Sequence, residues 1–133
     1  MGRIAAIDYG LKRIGIAISN EGKTMGLPLV TIRGGVKAVV AALLARNQEI
    51  ETIVVGLPLL MNGTKGAMAL AALAFAKELE LALKIPVVLF DERLSSKHAE
   101  ASLREIPLNR KQRSESIDPV AAALLLQCYL DQR

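Results

Sequence analysis

Short apolar runs rich in Ile, Val and Ala recur along this chain, and the segments between them limit what the chain can fold into. The runs at residues 3–8, 14–19 and 27–33 are separated by turns that contain Gly, which predicts three consecutive antiparallel strands. Two further runs, residues 52–55 and 86–90, each follow a segment in which apolar residues recur at helical spacing. The sequence therefore predicts five strands, with helices entering only after the third.

Helical spacing is found in four segments, at residues 36–46, 66–83, 95–105 and 118–130, and a polar basic loop is predicted at 106–114. The resulting order is β-β-β-α-β-α-β-α-α. Three meander strands followed by β/α units predict an α/β fold. Its mixed five-stranded sheet has an antiparallel part extended by parallel strands, and helices cover both faces.

Length and composition favour one compact domain over residues 1–133. The chain has 133 residues, of which 52% are hydrophobic and only 3% aromatic, so Ala, Leu, Ile and Val must form its core. The longest stretch of small and apolar residues, 66–76, is too short to cross a bilayer, and no membrane association is expected. A single cysteine, Cys128, cannot form an internal disulfide, which favours a reducing, cytoplasmic location.

Acidic residues follow two of the predicted strands and open the last predicted helix. Asp8 ends the first strand, Asp91 and Glu92 follow the fifth, and Asp118 precedes Pro119. Ligands of such sheets bind at the carboxyl ends of strands, and carboxylates suit the divalent metals that phosphodiester hydrolysis uses. Because successive strand side chains point to opposite faces, these residues alone leave Asp91 and Glu92 as alternatives. Asp118 before a proline also fits a simple helix N-cap.

Basic charge is concentrated between the second and third of these acidic positions. Residues 93–113 contain two acidic residues and six basic ones: Arg93, Lys97, Arg104, Arg110, Lys111 and Arg113. Their excess of four equals the formal net charge of the whole chain, +4. Lys and Arg beside carboxylates are typical of enzymes that hold nucleic-acid phosphates. Candidate phosphate contacts are Lys12, Arg13, Lys65, Arg93, Arg110, Lys111 and Arg113.

The loop at residues 56–65 contains Lys65 and lies between a predicted strand and a predicted helix. Its backbone amides could hold a phosphate at the helix N-terminus. The spacing of a P-loop is absent, however, so a plain connecting turn is an equal alternative.

Four segments in order, DYGLKRIGIA, VVGLPLLMNGTKG, FDERLSS and SIDPVAAALLLQCYL, resemble the signature blocks of the YqgF/RuvX family. Members of that family are described as pre-16S ribosomal RNA nucleases and, in older usage, as Holliday junction resolvases. The resemblance implies a ribonuclease H-like fold. It also implies that the catalytic and metal-binding acids are Asp8, Glu92 and Asp118, which selects Glu92 over Asp91.

The expected function is that of a metal-dependent nuclease that processes the 5′ end of pre-16S ribosomal RNA during ribosome biogenesis. Two Mg²⁺ or Mn²⁺ ions are the expected cofactors. A Holliday junction resolvase acting on branched DNA is the alternative, and a catalytically silent nucleic-acid-binding module is a third. Expected partners are structured RNA or branched DNA and ribosomal precursor particles, and the protein is expected to be a monomer or homodimer.

Overall fold

The computed structural model of the chain describes residues 2–45, 49–58, 63, 65–92 and 110–133, and the side chains of all of these except 110–118. These residues form five strands and three helices. In chain order they are β1 (Arg3–Asp8), β2 (Ile14–Ser19), β3 (Gly26–Ile32), α1 (Val36–Ala45), β4 (Ile50–Leu57), α2 (Ala67–Leu83), β5 (Val87–Asp91) and α3 (Arg110–Gln132).

The five strands form one mixed sheet in the order β3-β2-β1-β4-β5. β1 pairs antiparallel with β2, which pairs antiparallel with β3. On its other side β1 pairs parallel with β4, which pairs parallel with β5. The predicted meander extended by parallel strands is confirmed. The carboxyl ends of β1, β4 and β5 consequently meet at one edge of the sheet.

Successive side chains of the central strand β1 point to opposite faces of the sheet, so the core has two layers. Ala5 and Ile7 are buried with residues of α1 and α2 on one face, whereas Ile4 and Ala6 are buried with residues of α3 on the other. Because the side-chain period of a strand is two, every residue of β1 is assigned to one layer by its position alone. Helices on both faces agree with the predicted fold class.

The C-terminal half of α3 is fixed to the sheet by polar and apolar contacts. The Gln127 side chain accepts a hydrogen bond from the Gly26 N–H at 3.0 Å and donates one to the Thr24 carbonyl, also at 3.0 Å. An added Cβ at Gly26 would lie 2.8 Å from the Ala123 carbonyl oxygen, so the absence of a side chain lets helix and strand approach closely. These contacts hold the C-terminal half of α3 against the start of β3.

The last helix begins earlier than its sequence pattern predicts. We expected a basic loop through residue 114 and a helix from Asp118, but α3 already starts at Arg110 and contains Pro119 in its interior. Residues 110–115 are mostly Arg, Lys, Gln and Glu, which favour helix. A proline inside a helix removes one hydrogen bond of the ladder and crowds the carbonyl of residue i−4, but here the helix continues through it. The basic-loop prediction is therefore wrong from residue 110 onwards.

The other predicted bounds agree within a few residues. The predicted helix at 95–105 and the part of the predicted loop at 106–109 lie outside the described residues. None of the helices that are described is both long enough and apolar enough to cross a membrane.

Replacement of Leu126 by Ala tests the α3 layer. Leu126 is fully buried, so we expect the loss of its side chain to lower the free energy of unfolding by about 2–5 kcal/mol. Leu81 on α2 is 72% exposed, and Leu81→Ala is the matched control, with an expected change within about 0.5 kcal/mol. Urea unfolding curves measure both. Equal changes in the two variants would contradict this assignment of the core.

Candidate functional site

Asp8 is the last residue of β1, at the edge where the parallel strands end. Asp8 is two residues after Ala6 on the same strand, so its side chain points to the same face, which α3 covers. The next residue, Tyr9, packs on the opposite side, where its ring lies 4.6 Å from that of Phe75 in α2. The contact between Tyr9 and Phe75 therefore holds the backbone directly after Asp8 in place.

Glu92 follows β5 directly, two residues after Phe90, which is buried in the α3 layer. Its carboxyl group is hydrogen-bonded to that of Asp8. Asp91 is the last residue of β5 and pairs with Leu57; its charge acts on Glu92. Of the two acids that the sequence left as alternatives, the structure brings Glu92 to Asp8.

A glycine in the intervening strand makes this contact sterically feasible. β4 lies between β1 and β5, and Gly56 is its penultimate residue. An added Cβ at Gly56 would overlap the Glu92 Oε1 atom and lie 2.9 Å from both Cδ and Cγ. The Glu92 side chain thus lies directly over Gly56. The sequence interpretation placed Gly56 in the loop, and its role beneath Glu92 was missed.

The contact between the two carboxyl groups changes the pKa of Glu92. Burial, followed by the Asp8 charge and hydrogen bond and then the Asp91 charge, raises the pKa of Glu92 from 4.5 to about 8. Two carboxylates this close cannot both be ionised without a compensating cation or a shared proton. Hard oxygen ligands of this kind are those that Mg²⁺ and Mn²⁺ prefer. The donor set therefore fits a divalent cation.

Asp118, the third predicted acid, lies within α3 and does not begin a helix. The interpretation of Asp118 as an N-cap is therefore wrong. Its backbone position is one turn ahead of Ala122, which is fully buried in the layer between α3 and the sheet. Positions four apart in a helix share a face. Among residues whose side chains are described, no group of three or more potential metal ligands occurs.

The predicted phosphate contacts lie at three places in the described residues, and one more lies outside them. Lys12 is exposed and Arg13 half-buried in the turn between β1 and β2, and Lys65 is exposed just before α2. Both segments adjoin the edge that carries Asp8, because one follows the end of β1 and the other leads from the end of β4. The remaining candidates are Arg110, Lys111 and Arg113 in the first turn of α3, and Arg93, which lies outside the described residues.

The comparisons with known proteins agree on one family. The RuvX family, described as Holliday junction resolvase, matches residues 2–132 of the chain. A relative from Protochlamydia amoebophila (strain UWE25) is named "Putative pre-16S rRNA nuclease". It is 44% identical over 141 residues, which cover 98% of this chain and 94% of the relative. A protein of the same name from Syntrophomonas wolfei is 50% identical over 132 residues, which cover 97% and 94% of the two chains.

Two solved structures have the same architecture across almost the whole chain. T. thermophilus RuvC in complex with a Holliday junction substrate matches with a TM-score of 0.60 at 16% identity and covers 99% of this chain and 96% of its own. The Fowlpox virus resolvase in complex with junction DNA matches with a TM-score of 0.59 at 12% identity, with coverages of 98% and 97%. At these identities the likeness shows the fold, which is ribonuclease H-like as expected.

The raised pKa of Glu92 predicts how stability depends on pH in the cation-free protein. The folded state keeps the Glu92 proton up to about pH 8, whereas the unfolded chain loses it near pH 4.5. Between these values the folded state binds more protons, so stability falls as pH rises, by up to about 1.4 kcal/mol per pH unit. Glu92→Gln removes this contribution. We expect the variant to gain stability relative to wild type from pH 5 to pH 8.

Urea unfolding in EDTA at pH 5, 6, 7 and 8 measures the difference between the two proteins. Titrating groups that do not interact with Glu92 keep their surroundings in the variant, so their pH dependence cancels in the difference. Parallel stability curves for wild type and Glu92→Gln would show that the carboxyl pair is not formed in solution.

Proposed function

Because the chain belongs to the RuvX family, it is a nuclease of ribonuclease H-like fold that uses divalent metal, and we propose that Asp8, Glu92 and Asp118 form its active site. In this proposal residues 1–133 act as a single cytoplasmic nuclease domain. Its substrate is the precursor of 16S ribosomal RNA, which it cleaves near the 5′ end during ribosome biogenesis.

The observation that carries the proposal is the contact between the Asp8 and Glu92 carboxyl groups over Gly56. Holding two like charges together opposes folding whenever both are ionised. Nothing in the packing of the sheet requires this arrangement, since an alanine in place of Gly56 would suit a strand at least as well. Perturbed carboxyl groups at the carboxyl edge of a parallel sheet are typical of a catalytic site.

The proposed cofactor is Mg²⁺ or Mn²⁺, held by the carboxylates of Asp8, Glu92 and Asp118. Two such ions, if held by these residues, would supply an activated water and charge neutralisation at the leaving oxygen. Asp8 supplies a ligand from a rigid central strand, and Glu92 supplies one from the end of β5. Strand ends of this kind fix ligand positions more closely than loops do.

Asp118 is the proposed third ligand, and its place in α3 supports this role. The buried Ala122 shows that this stripe of the helix faces the sheet, and Asp118 is the next position toward the N-terminus on the same stripe. One helical turn advances about 5.4 Å. The backbone of α3 thus leads from the core layer toward the edge at which Asp8 and Glu92 meet.

Nucleic-acid phosphates are proposed to contact basic residues around the same edge. Lys12 and Arg13 follow Asp8 in the chain, and Lys65 precedes the N-terminus of α2, where backbone amides favour anions. Arg93, Arg110, Lys111 and Arg113 are proposed to extend this surface. With 3% aromatic residues the chain offers few platforms for base stacking, so recognition should depend on backbone and shape.

Branched DNA is the second candidate substrate, because the family description names Holliday junction resolvase. The ribosomal RNA precursor is preferred because relatives at 44% and 50% identity have that substrate in their names. Ribosomal precursor particles are the corresponding proposed partners, with the protein acting as a monomer or homodimer. A catalytically silent binding module is disfavoured, because binding alone does not account for the destabilising contact between Asp8 and Glu92.

Asp8→Asn tests the proposed chemistry. The change keeps the shape of the side chain and removes the charge that binds a hard cation. We expect cleavage to fall more than about 100-fold, since even the outer partners of metal ligands are worth about 10–100-fold. Asp118→Asn should behave alike, whereas Asp131→Asn, at an exposed position of the same helix, is the matched control and should retain activity.

Cleavage is measured with Mg²⁺ or Mn²⁺ on a transcript spanning the 5′ end of pre-16S RNA and on a four-way DNA junction. Cleavage of the transcript alone supports the ribosomal substrate, and cleavage of the junction alone overturns it. Full activity of the Asp8→Asn variant would remove Asp8 from the mechanism. Full activity of Asp118→Asn would restrict the site to Asp8 and Glu92.

Gly56→Ala tests the steric basis of the site without changing any charged residue. The new methyl group would occupy the space of the Glu92 side chain, so we expect Glu92 to be displaced and cleavage to fall at least about 10-fold. Gly35→Ala is the matched control, because no atom lies within 4 Å of its added Cβ. Unchanged cleavage by the folded Gly56→Ala variant would show that the position of Glu92 over Gly56 has no catalytic role.

A further inference from the structure

Thr31 has a buried hydroxyl group for which the described part of the chain shows no hydrogen-bond partner. The residue as a whole is half-buried, so its exposed surface belongs to atoms other than the hydroxyl oxygen. A buried hydroxyl without a partner costs about 1–3 kcal/mol. Valine has the same shape and avoids this cost, so an unpaired threonine here calls for an explanation.

The register of the sheet places Thr31 in the same row as Asp8. Gly15 of β2 is the partner of Asp8 on one side and of Thr31 on the other. Directly paired residues point to the same face of a sheet. The neighbours of Thr31, Val30 and Ile32, pack in the layer formed with α1 and α2. Thr31 therefore faces the α3 layer, as Asp8 does.

The residue of β2 that lies between Asp8 and Thr31 is Gly15, which has no side chain. Neighbouring strands lie about 4.8 Å apart, so the backbones at Asp8 and Thr31 are separated by about 10 Å. A single water molecule can join the oxygen atoms of two side chains that extend toward each other over that distance. Such a water bridges two oxygen atoms about 5.5 Å apart.

We propose that Thr31 is a positioning residue of the nuclease site, whose hydroxyl group holds the Asp8 carboxylate through one ordered water above Gly15. The water supplies the partner that the buried hydroxyl otherwise lacks, as buried waters commonly do for polar groups. Asp8 is then held from two sides, by Glu92 across Gly56 and by Thr31 across Gly15. Gly15 and Gly56 lie on the two strands that flank β1, and neither places a side chain between Asp8 and the proposed partner on that side.

This inference rests on the proposed role of Asp8 as a metal ligand. Outer partners orient metal-binding carboxylates, and their loss typically lowers metal affinity about 10–100-fold. Thr31 touches neither substrate nor metal in this arrangement. Its effect should therefore be visible in cation affinity itself, without any measurement of cleavage.

Isothermal titration of the cation-free protein with Mn²⁺ tests the inference, and far-UV circular dichroism shows that each variant is folded. We expect Thr31→Val to raise the Kd for Mn²⁺ about 10–100-fold. Thr31→Ser keeps the hydroxyl group and should bind nearly as wild type does. Thr52→Val is the matched control, since Thr52 is also half-buried but lies in β4 four residues before Gly56; its Kd should not change.

The outcomes separate this inference from the function on which it rests. Wild-type protein that fails to bind Mn²⁺ overturns the proposed metal site and the role of Thr31 with it. Wild-type binding that Thr31→Val leaves unchanged overturns the role of Thr31 alone. An equal loss in Thr31→Ser and Thr31→Val also overturns it, because the hydroxyl group would then not be what holds Asp8.

Discussion

Two carboxyl groups that repel each other when ionised lie in contact at the edge of this sheet, and the surrounding structure must hold them there. Asp8 and Glu92 belong to strands that are not neighbours, since β4 runs between them. Their contact depends on Gly56, because any side chain at that position of β4 would occupy the space of Glu92. Burial of Glu92 adds to the cost, since desolvation is the largest cause of its raised pKa. A bound cation would remove this cost, which supports the proposal that the pair is a preorganised cation site.

The topology explains why the two carboxyl groups meet at this edge. β1 is antiparallel to β2 but parallel to β4, so it belongs to both halves of the sheet. Its parallel half brings the carboxyl ends of three strands together, and its antiparallel half, with β3, supports α3 through Gly26 and Gln127. β1 thereby places Asp8 within reach of Glu92, and its side chains Ile4 and Ala6 form part of the face on which α3 packs. A slip of β1 by one residue would turn Asp8 to the opposite layer.

Sequence reasoning predicted most of this fold because its signals are local. Alternating apolar runs and turn glycines located all five strands, and helical spacing located α1 and α2. The start of α3 was predicted eight residues too late, since Asp118 followed by Pro119 has the pattern of an N-cap, yet the helix continues through both. Asp8 and Glu92 were predicted to be site residues, with Glu92 chosen by resemblance, and the structure brings their carboxyl groups into contact. The contact of Glu92 with Gly56 and the proposed role of Thr31 were not predicted, because they depend on which strands are neighbours and on cross-strand register, neither of which periodicity alone provides.

The third acid is supported differently from the first two, and this difference constrains how the site is assembled. Asp8 and Glu92 are fixed by hydrogen-bonded strands, whereas Asp118 depends on a helix that contacts the sheet through its C-terminal half. Ala122 and Leu126 are fully buried there, and Tyr129 packs edge-on against Phe90 at 6.3 Å between ring centroids. Phe90 stands two residues before Glu92, so one contact region anchors both the helix that carries Asp118 and the strand that leads to Glu92. Packing far from the carboxylates therefore determines whether the three proposed ligands can meet.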